Sequence, residues 1–400
     1  MGNSDMALKA DLSALEKTYL RWESEGVSPF FPVVESNGDN TVTIEPHGEL
    51  VMFGSCDYLG LSQHPALKAG AVEAIEQFGT NTYASQLICG HTRIHQTIEA
   101  TLGKMSGGRA ALMFPSGMSA SAGAVSTLAS SEDVVINDRL AHSSLFMGSR
   151  LSGAEVRTFP HNSMKRLETI LGQCADKRRR IIVVDGLYSA DGDYAPLDRI
   201  TELAEAYDAL VVVDEAHSFG SIGPNGLGVA DHFGVLDRID VIIGTMSKTL
   251  GSIGGFVLTH DWFERELRYM SPSYTSSRGS APAVAGATLA SLRLLEEQGN
   301  RLRAQLNSNT EFITERLRAA GFDLLNTRSH IVPVVVGPED KTVAVAKWLM
   351  GRGVLVAPFV YPHVAAGTGR LRVGVSSRHT ADECELLISA LTEAKREFGF

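Results

Sequence analysis

Four hundred residues allow roughly two to three domains and a large buried core. The net charge is −10, whereas a nucleic-acid-binding protein usually has a basic surface. No run reaches the roughly 18 apolar residues that span a bilayer. The four cysteines have no CxxC spacing, which argues against a disulfide framework and a structural metal site. Together with the polar first twelve residues, they predict a cytoplasmic protein.

The N-terminal part is predicted to form a helix and a hairpin before the main sheet begins. Apolar residues at helical spacing predict an amphipathic helix over residues 6–24. Thr41–Ile44 and Leu50–Phe53 are predicted to pair as a hairpin around Gly48.

Short apolar runs typical of buried parallel strands follow, and polar residues come after them. The runs are 110–114, 134–136, 181–184, 210–213 and 241–243. Because open α/β sheets bind ligands outside the carboxyl ends of their strands, the polar residues after these runs are candidate functional residues.

Lys248 follows the last of these runs, between hydroxyl residues and glycines. Taken alone, such a lysine is as readily a solvated loop residue as an amine held near a phosphate. Another run, Leu210–Val213, ends in Asp214-Glu215-Ala216-His217. Two strands that deliver reactive groups to one edge of a sheet favour the functional interpretation.

A helix is predicted to begin at Gly117, directly after Pro115-Ser116. The first N–H groups of a helix lack backbone partners, and the helix dipole favours an anion there, so this end suits a phosphate. Any N-cap serine gives a similar pattern, so the signal alone is weak.

The C-terminal part is predicted to form a smaller domain. A long helix is expected over residues 281–319, with a break near Gly299. Strands and helices then alternate, at Ile331–Val336, Thr342–Met350, Val354–Ala357, Arg370–Val375 and Ala381–Lys395.

The motifs 214–217 and 245–248, thirty-four positions apart, resemble those of pyridoxal-phosphate enzymes with the aspartate-aminotransferase fold, and more narrowly the α-oxoamine synthase family. The likeness runs from about residue 45 to the C-terminus. It implies pyridoxal 5'-phosphate (PLP) as cofactor and the α/β fold of type I PLP enzymes. In that fold a large domain with a mostly parallel sheet is followed by a smaller α/β domain. The implied divisions are an N-terminal segment 1–60, a PLP-binding domain 61–290 and a C-terminal domain 291–400.

The resemblance assigns roles to residues of this chain. Lys248 would bond to the cofactor and then act as the base at the substrate Cα, and His142, Asp214 and His217 would be the other catalytic groups. The residues implied to bind the cofactor are Ser116, Gly117, Met118, His142, Ser189, Asp214, His217, Thr245, Ser247, Lys248, Thr275 and Ser276. The last two would reach the site of the partner subunit. The residues implied to bind the amino acid are Asp57, Tyr58 and Arg372, the last through the carboxylate.

Three segments depart from the family pattern. Cys56 stands where the family has asparagine, and Met118 and Ser121 stand where it has an aromatic residue and then asparagine. Residues 278–280, Arg-Gly-Ser, replace the usual Pro-Pro after the 274–277 segment. These departures bear on a substrate contact, on stacking against the cofactor and on the loop at the subunit interface.

The resemblance implies a homodimer with shared active sites that condenses an amino acid with an acyl thioester and releases carbon dioxide. The amino acid and the acyl chain length stay open, as does the choice between coenzyme A and a carrier protein supplied in trans. One alternative is a PLP-dependent aldolase or lyase without acyl transfer. A second is a non-catalytic subunit, against which the presence of Lys248 argues.

Overall fold

The structure is a computed structural model that describes residues 14–400. Its first helix is Ala14–Ser24 (α1), the C-terminal part of the predicted amphipathic helix; residues 6–13 of that prediction lie outside the described residues. Trp22 on this helix is buried. Within residues 14–400, no helix is long and apolar enough to cross a membrane.

Strands and helices alternate along most of the chain. The strands are β1 (Val34–Asn37), β2 (Thr41–Ile44), β3 (Gly48–Met52), β4 (Ala110–Phe114), β5 (Val134–Asp138), β6 (Glu155–Phe159), β7 (Arg180–Asp185), β8 (Ala209–Asp214), β9 (Val241–Thr245), β10 (Gly255–Thr259), β11 (Ile331–Gly337), β12 (Val354–Leu355), β13 (Ala357–Phe359) and β14 (Gly369–Gly374). The further α-helices are α2 (Pro65–Phe78), α3 (Arg93–Met105), α4 (Gly117–Leu128), α5 (Ser143–Leu151), α6 (Met164–Gly172), α7 (Leu197–Ala206), α8 (Val229–His232), α9 (Asp261–Met270), α10 (Pro272–Thr275), α11 (Pro282–Ala319), α12 (Glu339–Met350) and α13 (Ala381–Phe398). A π-helical turn, Gln86–Gly90, precedes α3.

Seven strands form the central sheet, in the order β4-β10-β9-β8-β7-β5-β6. The strands from β9 to β6 run parallel, whereas β10 is antiparallel to both of its neighbours. The predicted parallel arrangement is thus confirmed for β5, β7, β8 and β9. Since parallel strands end on the same side, the terminal residues Asp138, Asp185, Asp214 and Thr245 lie along one edge of the sheet.

Both faces of the central sheet are buried. Along β7, Ile182 and Val184 belong to one apolar cluster, and Ile181 and Val183 belong to another. Each fully buried aliphatic side chain contributes roughly 1.5–3 kcal/mol. Burial on both faces explains why these strands appear in the sequence as continuous apolar runs. It also makes the sheet a rigid support for the residues at its edge.

The long helix α11 is continuous over 38 residues, so the predicted break near Gly299 is wrong. A glycine costs about 1 kcal/mol in a helix interior, but packing overrides this cost. A Cβ at Gly299 would come within 2.8 Å of the Arg303 guanidinium. Farther toward the N-terminus, a Cβ on Gly286 or on Gly70 of α2 would lie within 2.7 Å of the other residue's carbonyl oxygen. Close contacts with its surroundings therefore determine the course of this helix.

The C-terminal segment forms a three-stranded antiparallel sheet, β11-β14-β13, that packs against α12. Its predicted strands and helices are confirmed to within a few residues. Strand β12 pairs in parallel with β3, so the N-terminal hairpin shares the sheet β1-β2-β3-β12 with the C-terminal segment. The division of the chain at residues 60 and 290 stays a prediction.

A charged histidine ties together the loops after three of the parallel strands. His161, which follows β6, has Nδ1 3.1 Å from Asp138 Oδ1 and Nε2 2.9 Å from Asp193 Oδ2. Burial lowers the pKa of this imidazole, but the two carboxylates outweigh burial and raise the pKa from 6.5 to about 10. Asp138 also accepts a hydrogen bond from the Leu140 N–H, in the turn that leads to His142.

Replacement His161→Gln removes this charge and should destabilise the protein most at low pH. Because the folded-state pKa is raised, the stabilisation is complete below pH 6.5 and is lost as pH rises through about 10. We expect a melting temperature roughly 4 °C below wild type at pH 6, and a gap that narrows toward about pH 10. His260→Gln, at a histidine 48% exposed, is the matched control. A difference in melting temperature that does not change with pH would contradict a charged His161 between Asp138 and Asp193.

Candidate active site

A cavity of about 240 Å³ lies at the carboxyl edge of the central sheet, beside the ends of β7, β8 and β9 and the N-termini of α4 and α5. Its wall is formed by Gly117, Met118, Ser121, His142, Ser144, Asp185, Leu187, Asp214, Ala216, His217, Ile243, Gly244, Thr245, Ser247 and Lys248. Polar side chains thus converge where the strand-end rule predicted a ligand.

Lys248 lies in this wall, on the loop after β9. The loop turns through a 2.9 Å hydrogen bond from the Gly251 N–H to the Lys248 carbonyl, and Gly251 has a φ of 60°, which favours glycine. Burial lowers the pKa of the Lys248 amine and outweighs the opposing charges of Cys56 and Asp214. More of the amine is therefore neutral, which is the form that attacks a carbonyl.

Two carboxylates, Asp214 and Asp185, line the cavity side by side as ladder partners of β8 and β7. Asp214 accepts hydrogen bonds from Ser121 Oγ at 3.2 Å and from the Ala216 N–H at 2.9 Å. Burial raises the pKa of Asp185 well above its ordinary value, and the charge of Asp214 raises it further. Burial and the neighbouring charge of Asp214 therefore favour the protonated form of Asp185.

Sequence analysis did not assign Asp185 or Ser121 to the site. The signal for Asp185 was present, because it ends the apolar strand β7 in the same way that Asp214 ends β8. Ser121 lies on α4, four residues beyond Gly117, and only the approach of α4 to β8 places it against Asp214.

His142 caps the N-terminus of α5 and lines the same cavity. Its backbone N–H donates to Asp185 Oδ1 at 3.0 Å. Its Nδ1 accepts from the Ser144 N–H at 3.3 Å, which places the proton of the neutral ring on Nε2. Burial lowers the pKa of His142 and outweighs the opposing charge of Asp214. The cavity thus contains a neutral imidazole with one N–H to donate.

His217 lines the cavity, and its Nδ1 lies 2.7 Å from the Tyr58 hydroxyl. Burial lowers the pKa of His217 well below 6.5, so the ring is neutral. Tyr58 is 1% exposed and lies behind His217, outside the wall. The structure therefore gives Tyr58 an orienting contact with His217, where the resemblance implied a substrate contact.

Asp57 does not reach the cavity wall either. Its Oδ1 and Oδ2 accept hydrogen bonds from the backbone N–H groups of Leu61 and Ser62, each at 2.9 Å. These bonds close the turn after Asp57 and occupy both carboxylate oxygens. Asp57 thus has a structural role in this turn, and its role in binding substrate stays a prediction.

Arg372 on β14 is half-buried, and its charge lowers the pKa values of both Lys248 and His217. Its Nη2 donates to Cys56 Sγ at 3.3 Å, and its guanidinium lies 4.7 Å from the centre of the Phe359 ring. Among residues 14–400, no carboxylate lies within ion-pair distance of this guanidinium. A half-buried guanidinium without a carboxylate partner is suited to an incoming carboxylate.

The N-terminus of the 12-residue helix α4 forms another part of the wall. Ser116 is its N-cap and accepts from the Ser119 N–H at 3.1 Å, which leaves the N–H groups of Gly117 and Met118 for a ligand. A Cβ on Gly117 would lie 3.0 Å from Thr245 Oγ1, so glycine keeps the space between them open. These groups, with Ser247 and Thr245 in the wall, fit a phosphate.

Four of the predicted cofactor-binding residues lie outside this wall, and Ser116, the N-cap of α4, is the one that adjoins it. Ser189 is half-buried in the loop after β7. In that loop it is Leu187, and not Ser189, that lines the cavity. Thr275 Oγ1 donates to the Ser271 carbonyl at 3.0 Å, and Ser276 is exposed at the end of α10.

Comparison with known proteins gives a consistent result along nearly the whole chain. The sequence profile of the family described as aminotransferase class I and II matches residues 48–391. The 8-amino-7-oxononanoate synthase of Alkaliphilus metalliredigens is 34% identical over 97% of this chain and 98% of its own. The 8-amino-7-oxononanoate synthase 1 of Bacillus subtilis is 34% identical over 98% of this chain and 97% of its own.

Solved structures also resemble this chain over nearly its whole length. Serine palmitoyltransferase from S. paucimobilis, with PLP and myriocin bound, superimposes with a TM-score of 0.94 at 30% identity and covers 98% of each chain. Serine palmitoyltransferase from Sphingomonas wittichii gives a TM-score of 0.91 at 29% identity, over 97% of this chain and 99% of that one. The chain therefore belongs to the class I and II aminotransferase family, and within it to the α-oxoamine synthases, which are PLP-dependent acyltransferases.

Proposed function

We propose that this enzyme condenses a small free amino acid with an acyl thioester, with loss of carbon dioxide, to form an α-aminoketone. The observation that carries the proposal is the position of Arg372, a half-buried cation without a carboxylate partner in residues 14–400, whose charge acts on Lys248. An amino acid held by its carboxylate at Arg372 would present its Cα toward Lys248. The relatives named for serine and palmitoyl groups support this substrate class.

The wall of the cavity accounts for each part of PLP. Lys248 would bond to its aldehyde, Asp214 would pair with its ring nitrogen, and His142 would cover the ring. His217 would hydrogen-bond its phenolic oxygen, and the N-terminus of α4 with Thr245 would hold its phosphate. Bound PLP supplies an electron-withdrawing ring that stabilises negative charge at the amino acid Cα.

The protein groups then position and move protons. Arg372 binds the amino acid carboxylate. Lys248 in its neutral form takes the Cα proton. Asp214 would pair with the PLP ring nitrogen, because two opposite charges about 4 Å apart gain roughly 4 kcal/mol at an effective dielectric of 20. Burial favours the protonated form of Asp185 beside Asp214, and His142 Nε2–H is available to a substrate oxygen. The acyl thioester, on coenzyme A or on a carrier protein, would enter from the open side of the cavity.

A homodimer with shared sites is the second part of the proposal. Large apolar side chains are exposed around the π-helical turn, with Tyr83 at 80% and Ile88 at 75%, and Met118 in the cavity wall is 54% exposed. The short helix α10 contacts this turn, and the backbones of Ser85 and Arg278 pair in an isolated antiparallel β-bridge. Exposed apolar side chains of this kind favour burial of this face against a second copy of the chain. Thr275 and Ser276 would then contribute to the site of that second copy.

All four cysteines are free. This finding supports the expected location in the reducing cytoplasm, which we retain as a proposal.

The direct test is product formation from glycine, alanine or serine with acyl-CoAs of increasing chain length. We expect carbon dioxide release and an aminoketone only when both substrates are present, with Lys248→Ala inactive. Cleavage of a β-hydroxy amino acid without any thioester would instead favour the aldolase or lyase alternative.

Asp214→Asn tests the electron sink. The change keeps the size of the side chain but removes the charge opposite the ring nitrogen. We expect exchange of the substrate α-proton, followed by NMR in D₂O, to fall at least about a hundredfold while PLP stays bound. Ser121→Ala, which removes only one hydrogen bond to Asp214, should have a much smaller effect. Exchange in Asp214→Asn within a few-fold of wild type would contradict this role.

Complementation tests the shared sites. An inactive Lys248→Ala chain is mixed with an inactive chain in which Thr275 and Ser276 are both replaced by phenylalanine. In a heterodimer, one site combines Lys248 with intact hydroxyls. Random mixing makes about half the dimers heterodimers, so activity should recover to roughly a quarter of wild type. No recovery after verified subunit exchange would remove the segment from the partner's site.

A further inference from the structure

Contacts through Cys56 and Tyr58 connect Arg372 to His217 behind the cavity. Arg372 Nη2 donates to Cys56 Sγ at 3.3 Å, the Cys56 thiol interacts with the Tyr58 hydroxyl, and that hydroxyl lies 2.7 Å from His217 Nδ1. The expected site of the substrate carboxylate is thus connected to a histidine in the cofactor cavity. Cys56 makes this possible, because the asparagine expected at this position from the family resemblance has no proton to gain or lose.

Tyr58 and His217 are buried, and His330 packs against both of them. Tyr58 is 1% exposed and His217 is 6% exposed. His330 donates from Nε2 to the His217 carbonyl at 3.1 Å, and its ring lies 4.0 Å from the Tyr58 ring. Burial lowers the pKa of His330 to about 3, so His330 stays neutral and does not compete as a proton donor. The positions of the protons on Cys56 and Tyr58 therefore depend on the groups at the two ends of the path, Arg372 and His217.

Two arrangements satisfy the same heavy-atom positions. In the first, Cys56 is a thiolate that accepts from Arg372 and Tyr58, while His217 Nδ1–H donates to the Tyr58 oxygen. In the second, the Cys56 S–H donates to the Tyr58 oxygen, the Tyr58 O–H donates to His217 Nδ1, and His217 Nε2 carries a proton. Passing from the first to the second moves the Nδ1 proton to the Tyr58 oxygen and the Tyr58 proton to sulfur. Nε2 then takes one proton from the cavity, so the site gains one proton in total.

The charges around Cys56 differ before and after an amino acid binds. In the resting site, Arg372 on β14 and Lys248 on the loop after β9 act on the sulfur, together with the Tyr58 hydroxyl. Burial raises the pKa of Cys56, but these groups outweigh burial and leave the pKa below 9.0. A carboxylate bound at Arg372 would neutralise the guanidinium and favour the thiol.

We propose that Cys56 and Tyr58 are positioning residues that form a proton relay, through which a carboxylate arriving at Arg372 converts His217 from the Nδ1–H to the Nε2–H tautomer. This proposal rests on the proposed function in one respect, namely that Arg372 receives the amino acid carboxylate. The relay makes His217 a hydrogen-bond donor toward the cavity when substrate is present.

The first test is the proton count of amino acid binding, from titration calorimetry of the PLP-loaded enzyme in two buffers with different ionisation enthalpies. As pH rises and the resting thiolate becomes populated, wild type should take up about one proton more than Cys56→Ser, whose hydroxyl stays protonated. An equal count in the two proteins between pH 7 and 9 would overturn the relay. Equal melting temperatures establish that Cys56→Ser is folded.

The second test follows His217 directly by ¹⁵N NMR of its ring, assigned by the loss of its signals in His217→Asn. On addition of serine or alanine, wild type should change from the Nδ1–H to the Nε2–H tautomer. Tyr58→Phe interrupts the path and should abolish this change while amino acid binding persists. A tautomer that does not change in wild type, or that still changes in Tyr58→Phe, would overturn the relay.

A third test measures the resting state of Cys56 first without and then with an amino acid. Iodoacetamide reacts with a thiolate, whose sulfur attacks the methylene carbon as iodide leaves. Mass spectrometry of the Cys56 peptide should give an alkylation profile with its midpoint below that of glutathione, and serine or alanine should slow the reaction. A midpoint at or above that of glutathione would overturn the resting arrangement. If no amino acid binds, the proposed function fails, and this profile alone then decides whether Cys56 rests as a thiolate.

Discussion

Desolvation at the carboxyl edge of the parallel sheet is the constraint on which the site depends. The same burial lowers the pKa values of Lys248, His142 and His217, and it raises that of Asp185. Burial therefore favours the neutral forms of the three bases and the protonated form of Asp185. Asp214 beside it accepts hydrogen bonds from Ser121 Oγ and the Ala216 N–H, which hold its carboxylate in the wall. A cavity of this kind is suited to chemistry in which one amine alternately bonds to a carbonyl and moves a proton.

The C-terminal segment completes the site by bringing Arg372 to the sheet edge. Two residues earlier on the same strand, Arg370 forms a 2.6 Å ion pair with Asp191 in the loop after β7. Asn309 of α11 donates to the carbonyls of Ser376 and His379, just beyond β14. These contacts fix the position of β14 relative to the central sheet. The distance between Arg372 and Lys248 is therefore set by packing between parts of the chain that are far apart in sequence.

The sequence predicted the parts of the site that follow from strand ends and helix starts. Lys248, Asp214 and Gly117 all lie where the pattern of apolar runs placed them, because side chains after a buried parallel strand emerge at one edge. Asp57 and Tyr58 were expected to contact substrate, but local backbone hydrogen bonds and burial turn them away from the wall. Side-chain direction within a turn depends on such contacts, and no periodicity in the sequence reports them.

Lys248, the buried amine on the loop after β9, is the residue proposed to bond to the cofactor. Borohydride reduction of the PLP-loaded enzyme, followed by proteolysis and mass spectrometry, tests this assignment directly. We predict that the reduced pyridoxyl group lies on the peptide that contains Lys248 and that Lys248→Ala binds PLP without becoming labelled. Stoichiometric labelling of a different lysine in the wild-type protein would contradict the account.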